Sequence, residues 1–332
     1  MNNIFTKISK ISAFFVCALL LVVSVSAQIS LRTALDTDKD GKADFSVQRP
    51  SNNVWYISKS GGGFTFQPFG TIQTDYQTPG DYDGDGKGDI AVWRETTGIW
   101  YYILSSTNTV GGVQFGMEGD EPVARDYDGD GKTDVAVVRT SGGGSGVKTW
   151  FALRSTNGSL LAAQFGAGTD YVAPGDYDGD GKFDLAVQRP GANPATNQAI
   201  FFILQSSNNT LLSIPWGVGN DQVVPGDYDG DGKTDIAVVR AGSGAQSELN
   251  WFIRKSTDGG LKSVKFGITG DDNIFGDLTV QNDYDGDGIT DVAVWRDSNG
   301  FFYFIRSSGN GSTSGVQWGT SEDYPIANYD TH

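Results

Sequence analysis

The sequence predicts an all-β chain: a β-propeller of six four-stranded antiparallel blades, with seven blades as the alternative. Three observations predict it. An acidic nine-residue loop is written six times, starting at Asp36, Asp81, Asp126, Asp176, Asp227 and Asp283, at intervals of 45 to 56 residues. Between the loops run short β-branched and aromatic segments broken by Gly, Asn and Asp, which are strand and turn signals. No long stretch of 3.6-residue periodicity competes with them. Self-similarity at this period means stacked supersecondary units, none of which buries its apolar face alone. A ring of blades suits such a chain because it leaves only short, protected strand edges. A calcium-binding β-helix also uses Gly and Asp, but its repeat is a nonapeptide.

Each unit carries four strand-like pieces. The first runs into the loop, as in Asp120-Glu121-Pro122-Val123-Ala124-Arg125. The second follows the loop: Ile90 to Arg94, Val135 to Arg139, Ile236 to Arg240. The third is aromatic: Trp100 to Leu104, Trp150 to Leu153, Trp251 to Ile253. The fourth ends in an aromatic-Gly step at Phe69, Phe115, Phe165, Trp216, Phe266 and Trp318. After the sixth unit, Asp323 to Tyr329 reads as one more first strand, with a partial loop motif at Asn328-Tyr329-Asp330. Either this overhang or the stretch Ile29 to Leu35 completes the first blade, and the sequence leaves that choice open.

The loops carry the chemistry. Loop 1 places Asp36, Asp38, Asp40 and Asp44 around Lys42, and loop 2 places Asp81, Asp83, Asp85 and Asp89 around Lys87. Loop 3 has Asp126, Asp128, Asp130 and Asp134 around Lys132; loop 4 has Asp176, Asp178, Asp180 and Asp184 around Lys182. Loop 5 has Asp227, Asp229, Asp231 and Asp235 around Lys233; loop 6 has Asp283, Asp285, Asp287 and Asp291 around Ile289. Four carboxylates at positions 1, 3, 5 and 9 disfavour joint ionisation unless a cation joins them. Calcium accepts such an oxygen set, with a glycine at position 6 for the sharp turn and a backbone carbonyl from position 7. Zinc prefers Cys and His, which the loops lack, and magnesium keeps its waters and demands octahedral geometry. An EF-hand would need a Glu at position 12, where these loops have passed into an apolar strand.

Composition sets further bounds. The net charge is −16, and the loops hold 24 of the 40 acidic residues, so the acidity is mainly a cation-binding inventory. Nucleic acid is not an expected partner, because affinity for it rests on Lys and Arg neutralising phosphates. Lys7 and Lys10, the apolar run Ile11 to Val23 and the small residues Val25-Ser26-Ala27 read as a secretory signal peptide over residues 1–27. Residues 28–332 are then one exported domain, extracellular, periplasmic or at the cell surface, with no membrane span after cleavage and no cysteine. The one histidine, His332, rules out Ser-His-Asp and Cys-His nucleophile systems. Paired carboxylates acting on a glycoside are not excluded by composition.

The pattern Asp-Tyr-Asp-Gly-Asp-Gly-Lys-x-Asp followed by an aliphatic-Ala-Val strand, with the recurring Phe-Gly, resembles the FG-GAP/VCBS repeat proteins; integrin α-subunit propellers carry related calcium loops. The resemblance covers nearly all of residues 28–332. It implies propeller blades whose calcium loops join first and second strands, with about six structural calcium ions held by the residues named above, position 7 through its carbonyl. Loop 1 departs from the pattern, with Thr37 for Tyr and Lys39 for Gly. The resemblance implies little about a partner, because fold does not determine function.

Other recurring residues have structural readings. Arg49, Arg94, Arg139, Arg189, Arg240 and Arg296 each stand 13 residues after a loop's first Asp. They are expected to brace neighbouring blades through carboxylates or carbonyls rather than to grip an anion. Trp55, Trp100, Trp150, Phe201, Trp251 and Phe302 are expected to fill the space between blades, and the loop tyrosines to pack beside the metal. Lys87-Gly88-Asp89 resembles an integrin-ligand tripeptide, but Asp89 is assigned to the cation.

Where the repeats stop matching, a partner surface is expected. Inserts at 141–148, 191–198 and 242–249, with another at 268–276, share the face opposite the acidic loops, since connections alternate faces in a meander. A glycan or an exported protein is the expected partner, in a binding or adhesion role. The alternative is a calcium-dependent polysaccharide lyase or glycosidase, with Asp271, Asp272, Asp277 and Glu248 as candidate acids; a structural role in an envelope layer is a third.

Overall fold

The apolar run after each acidic loop becomes the most buried strand of a blade. In this computed structural model the described residues are 34–270, 276–309 and 311–327. The expected signal peptide, Asp271, Asp272 and Asn328-Tyr329-Asp330 lie outside them. Six four-stranded antiparallel sheets form a six-bladed β-propeller. Blade II comprises β4 (Asp75–Gln77), β5 (Ile90–Arg94), β6 (Ile99–Leu104) and β7 (Thr109–Gln114). Blade III holds β8 (Asp120–Pro122), β9 (Val135–Ser141), β10 (Val147–Leu153) and β11 (Leu160–Ala167). Blade IV holds β12 (Tyr171–Val172), β13 (Leu185–Arg189), β14 (Gln198–Leu204) and β15 (Leu211–Val218). Blade V holds β16 (Gln222–Val223), β17 (Ile236–Arg240), β18 (Glu248–Arg254) and β19 (Leu261–Ile268). Blade VI holds β20 (Asp277–Thr279), β21 (Val292–Arg296), β22 (Phe301–Ile305) and β23 (Thr313–Gln317). Second strands such as β13 are buried nearly throughout, whereas fourth strands such as β11 alternate exposed and half-buried residues. The fourth strands therefore form the outer rim.

Blade I contains β1 (Phe45–Arg49), β2 (Val54–Ser58) and β3 (Phe64–Pro68), and its first strand is β24 (Tyr324–Pro325) from the far end of the chain. Among the described residues, the overhang and Leu35 take part in succession. Tyr324 and Pro325 pair with Gln48 and Val47, and the Ile326 N–H donates to Ser46 O. Then Leu35 takes over, its carbonyl accepting the Asp44 N–H. The two ends thus share one strand's course, and the ring closes without a seventh blade. Phe45 stacks on Tyr284 across this seam at 5.0 Å and lies 5.2 Å from Phe302.

The cores lie between blades, as the buried set Trp150, Phe183, Leu185 and Val187 shows for blades III and IV. The aromatic-Gly step is part of that contact. Gly116 has φ 101°, and a Cβ there would stand 3.1 Å from Val137 of the next blade. At Gly70 a Cβ would stand 2.8 Å from Val92. Glycine is needed both for the positive φ and for the close approach. The preceding carbonyl is held from within the blade, since the Trp100 and Trp150 indole N–H groups donate to Phe115 O and Phe165 O at 2.8 Å. Trp55, Trp100, Trp150, Phe201, Trp251 and Phe302 are all buried, as expected.

The inserts between second and third strands are not free loops throughout. Ser141, Val147, Lys148, Gln198, Glu248 and Leu249 extend the hairpins, leaving turns at 142–146, 190–197 and 241–247. Blades III to V are therefore the tall ones. Their third strands have seven residues each, against five in β2 and β22.

Candidate metal centres

Each acidic loop folds its carboxylates inward because the backbone N–H groups of its own turn reach for them. In loop 2, Asp81 Oδ1 accepts the Gly84 N–H at 2.6 Å and Oδ2 accepts the Gly86 N–H at 2.9 Å. Gly86, at position 6, has φ 82°, which suits glycine and gives the turn its reversal. Asp89 Oδ2 accepts the Tyr82 N–H at 2.8 Å, closing the loop on itself. The Tyr82 hydroxyl donates to Thr78 O at 2.8 Å, and Tyr127, Tyr177, Tyr228 and Tyr284 repeat that bond at 2.6–2.8 Å. In loop 1, where Thr37 stands for tyrosine, its hydroxyl bonds Asp44 instead. Asp89 is 2 % exposed, so Lys87-Gly88-Asp89 is not presented as a ligand tripeptide.

The sequence reasoning missed a second tier, the turn between third and fourth strands. Ser60, Ser105, Ser155, Ser206, Ser256 and Ser307 each donate a backbone N–H to the position-9 Asp at 2.6–2.8 Å. Five of their hydroxyls reach position 5, as Ser105 does to Asp85 at 3.0 Å, whereas that of Ser256 has no hydrogen-bond partner. The next residue holds position 3, as Ser207 Oγ does to Asp178 at 2.6 Å. The recurring Ser-Ser, Ser-Thr or Ser-Gly after the aromatic strand was the available signal.

These carboxylates come together as a cation site requires. Asp36, Asp38 and Asp40 each bring an oxygen within 4.8 Å of the others, as do Asp81, Asp83 and Asp85. In loops 3, 4 and 5 the trio is positions 1, 3 and 9: Asp126, Asp128, Asp134; Asp176, Asp178, Asp184; Asp227, Asp229, Asp235. Oδ1 of Asp38, Asp128, Asp229 and Asp285 is buried without a hydrogen-bond partner, and a buried carboxylate oxygen left so is costly. Burial pushes Asp134, Asp184, Asp235 and Asp291 up to about 7 and Asp89 to about 6, despite the N–H groups that hold them. The residues fit an oxygen-seeking divalent ion, whose positive charge would stabilise the carboxylates in place of the hydration lost on burial.

The six loops also touch one another. The position-8 N–H of each donates to the position-1 carbonyl of the preceding loop: Gly88 to Asp36, Thr133 to Asp81, Phe183 to Asp126, Thr234 to Asp176, Thr290 to Asp227 and Ala43 to Asp283, at 2.6–2.9 Å. The cycle is closed. At three seams a glycine before one loop makes room for a threonine at position 8 of the next: Gly80, Gly175 and Gly226 lie under Thr133, Thr234 and Thr290. At another, the Arg125 guanidinium lies 5.9 Å from the Phe183 ring. A Cβ on Gly80 would stand 2.6 Å from Thr133 Oγ1 and 2.8 Å from its Cγ2. Gly80→Ala is expected to cost about 1–3 kcal/mol by overpacking. Adding Thr133→Gly should recover most of that loss in a double-mutant cycle of urea unfolding; strictly additive losses would refute the packing account.

The recurring arginines are braces, but within a blade rather than between blades. Arg94, Arg139, Arg189, Arg240 and Arg296 each clamp the Asp that opens their own blade's first strand: Asp75, Asp120, Asp170, Asp221 and Asp277, through Nε and an Nη at 2.6–2.9 Å. Direct pairing across two adjacent strands is shorter than any reach to the next blade, which corrects the expectation. Arg49 takes Asp323, joining the chain ends. Each guanidinium also lies 4.4–5.0 Å from an aromatic ring of the third strand, from Tyr56 in blade I to Tyr303 in blade VI. The Asp side chains are 0–1 % exposed, so the ring of cations is spent on structure. Asp277, a candidate acid in the enzymatic alternative, is one of these buried partners. Glu248 is exposed beside Lys265 at 3.5 Å.

On the opposite face the tall hairpins bond to the turns beside them. The Gly168 N–H donates to Gly146 O, Asn220 N–H to Pro194 O, and Gln246 N–H to Thr269 O at 2.8–3.1 Å. Among the described residues no helix is long and apolar enough to cross a membrane.

Residues 36–92 and 126–187 match the family model for an FG-GAP-like repeat. Comparison with curated proteins finds no match. Among solved structures, tricorn protease is 14 % identical over 87 % of this chain, with a TM-score of 0.46, and this chain spans 30 % of that one. An arginine-substituted variant of AofleA from Arthrobotrys oligospora is 10 % identical, covering 90 % of each chain, with a TM-score of 0.47. A variant of the Synechocystis apocarotenoid oxygenase is 12 % identical, over 87 % of this chain and 75 % of that one, with a TM-score of 0.41.

Proposed function

We propose that this chain, which carries FG-GAP-like repeats on a six-bladed propeller, is an exported binding or adhesion module whose acidic loops hold structural calcium. The observation that carries the metal reading is the set of buried, unpartnered position-3 oxygens inside carboxylate trios. The ion would be held by the Asp side chains of positions 1, 3, 5 and 9 and by the position-7 carbonyl. Bound there, it neutralises the carboxylates and fixes the first-to-second-strand connection. The loops are then occupied in holding the blades, and recognition falls to the other face.

That face supports a binding role because its irregularities are contiguous. Turns 142–146, 190–197 and 241–247 rise from adjacent blades, and each is hydrogen-bonded to the following fourth-to-first-strand turn. They are rich in Gly, Ser, Asn and Gln, which suits hydroxyl-bearing or polar ligands such as a surface glycan or an exported protein. Replacing 142–146 and 241–247 by two-residue turns should abolish capture on a glycan and exoprotein array while leaving the melting temperature within a few degrees. Undiminished capture by the shortened chain would remove the recognition site from this face.

A further inference from the structure

We infer that the six acidic loops bind calcium cooperatively, coupled through the closed cycle of position-8 N–H to position-1 carbonyl hydrogen bonds. The inference rests on the metal reading and adds to it a communication path that the chain's own backbone supplies.

The link is one amide. In loop 3 the Lys132 carbonyl and the Thr133 N–H belong to the same peptide unit. That unit is trans, as are all described peptide bonds. A trans amide points its carbonyl and its N–H in opposite directions. The Thr133 N–H points to Asp81 O in loop 2 at 2.7 Å, so the Lys132 carbonyl is aimed away from loop 2. A cation drawing on that carbonyl withdraws electrons from the amide and makes its N–H a better donor, as hydrogen-bonded chains polarise one another. The bond to Asp81 O tightens. Asp81 is the residue whose carboxylate is already pinned by the Gly84 and Gly86 N–H groups, so loop 2 becomes better ordered for its own ion. By linkage, filling loop 2 favours loop 3 by the same factor.

Three features make the path more than a single contact. It recurs in all six loops, at 2.6–2.9 Å, and it closes, since Ala43 of loop 1 donates to Asp283 of loop 6. Side chains run alongside it. Lys132, Lys182, Lys233 and Lys42 lie across the position-4 glycines of the preceding loops, Gly84, Gly129, Gly179 and Gly286. Where loop 1 departs from the pattern, Lys39 reaches forward instead and its Nζ bonds Asp85 O, so the seam between loops 1 and 2 remains linked.

The test is a calcium titration of the metal-stripped full chain, under conditions where near-ultraviolet circular dichroism shows it folded. The amide resonances of the position-6 glycines report each loop separately. The expected result is a Hill coefficient above one. Asp128→Asn, which disables loop 3, should weaken loops 2 and 4 on the order of 5-fold, the low end of site–site coupling, and loop 6 across the ring much less. If Asp128→Asn proves unfolded, Asp285→Asn serves, with loops 5 and 1 as the neighbours. Equal weakening of all remaining loops, or none, would overturn the coupling while leaving the metal reading intact. Absence of calcium binding in the unsubstituted chain would overturn both.

Discussion

Excess chelator is expected to lower the melting temperature of this protein by on the order of 20 °C at pH 8. An ion that binds the folded state alone stabilises it by mass action, about 2.7 kcal/mol per site at a hundredfold excess over Kd. Several such sites sum to roughly 10 kcal/mol, and about 2 °C accompanies each kcal/mol in a domain of this size. The effect should be smaller at pH 5. Burial holds Asp134, Asp184, Asp235 and Asp291 near 7 in the metal-free fold, against about 3.9 in an unfolded chain. Raised folded-state values mean that the folded form binds more protons between those limits. Their stabilisation is complete below about pH 4 and is lost as pH rises through 7. In chelator, therefore, the melting temperature falls from pH 5 to pH 8. With calcium present that fall should be largely abolished, because the ion takes the place of the protons. Scanning calorimetry at both pH values, with and without calcium, reads all four cases. A melting temperature unmoved by chelator at pH 8 would remove structural calcium from the account.

The second large effect is expected at Asp323. Each of the six first-strand Asp residues accepts a bidentate arginine and also a backbone N–H from the turn before it, as Asp120 does from Met117 at 3.0 Å and Asp323 from Thr320 at 2.9 Å. Removing such a carboxylate strands a half-buried guanidinium and a turn N–H. The cost for a buried pair is about 3–5 kcal/mol, and the arginines' partial exposure places it near the lower figure. Asp120→Ala and Asp323→Ala should therefore each lose roughly 3 kcal/mol in urea unfolding. Their local consequences differ. Asp120 sits within a continuous blade, whereas Asp323 anchors a first strand with two paired residues at the end of the chain. Limited proteolysis should clip Asp323→Ala near residue 320 and leave β1 exposed as a free edge, while Asp120→Ala stays intact. Equal resistance of the two variants would mean that the aromatic seam of Phe45, Tyr284 and Phe302 closes the ring unaided.

Much of this architecture was legible because it is local and repeated. The acidic loop, the apolar strand after it and the buried aromatic strand each lie within a few residues of one another, so periodicity exposes them. Other features were equally periodic and still passed unread. Every clamp within one stretch of chain joins an Asp and an Arg 19 residues apart. Asp323 carries that pattern past the last complete unit, whereas Ser30 stands where an Asp would be needed before loop 1. That substitution marks Asp323 as the natural partner of Arg49. The serines of the third-to-fourth-strand turns were likewise written once per repeat, but their link to the loops depends on which connections share a face.

By itself the sequence determined the repeat unit, the strand order within it and the cation-seeking chemistry of the loops, because side-chain alternation and clustered charge act over short separations. Only the tertiary structure decided how the ring closes, that the arginines clamp their own blades, that the inserts partly lengthen the hairpins of three blades, and that the loops are joined in an unbroken cycle. The physical reason is that each depends on which strands come to lie side by side. Ring closure and the loop cycle rest on backbone groups whose partners lie in another blade or at the other end of the chain, and a backbone N–H looks the same in every residue that has one.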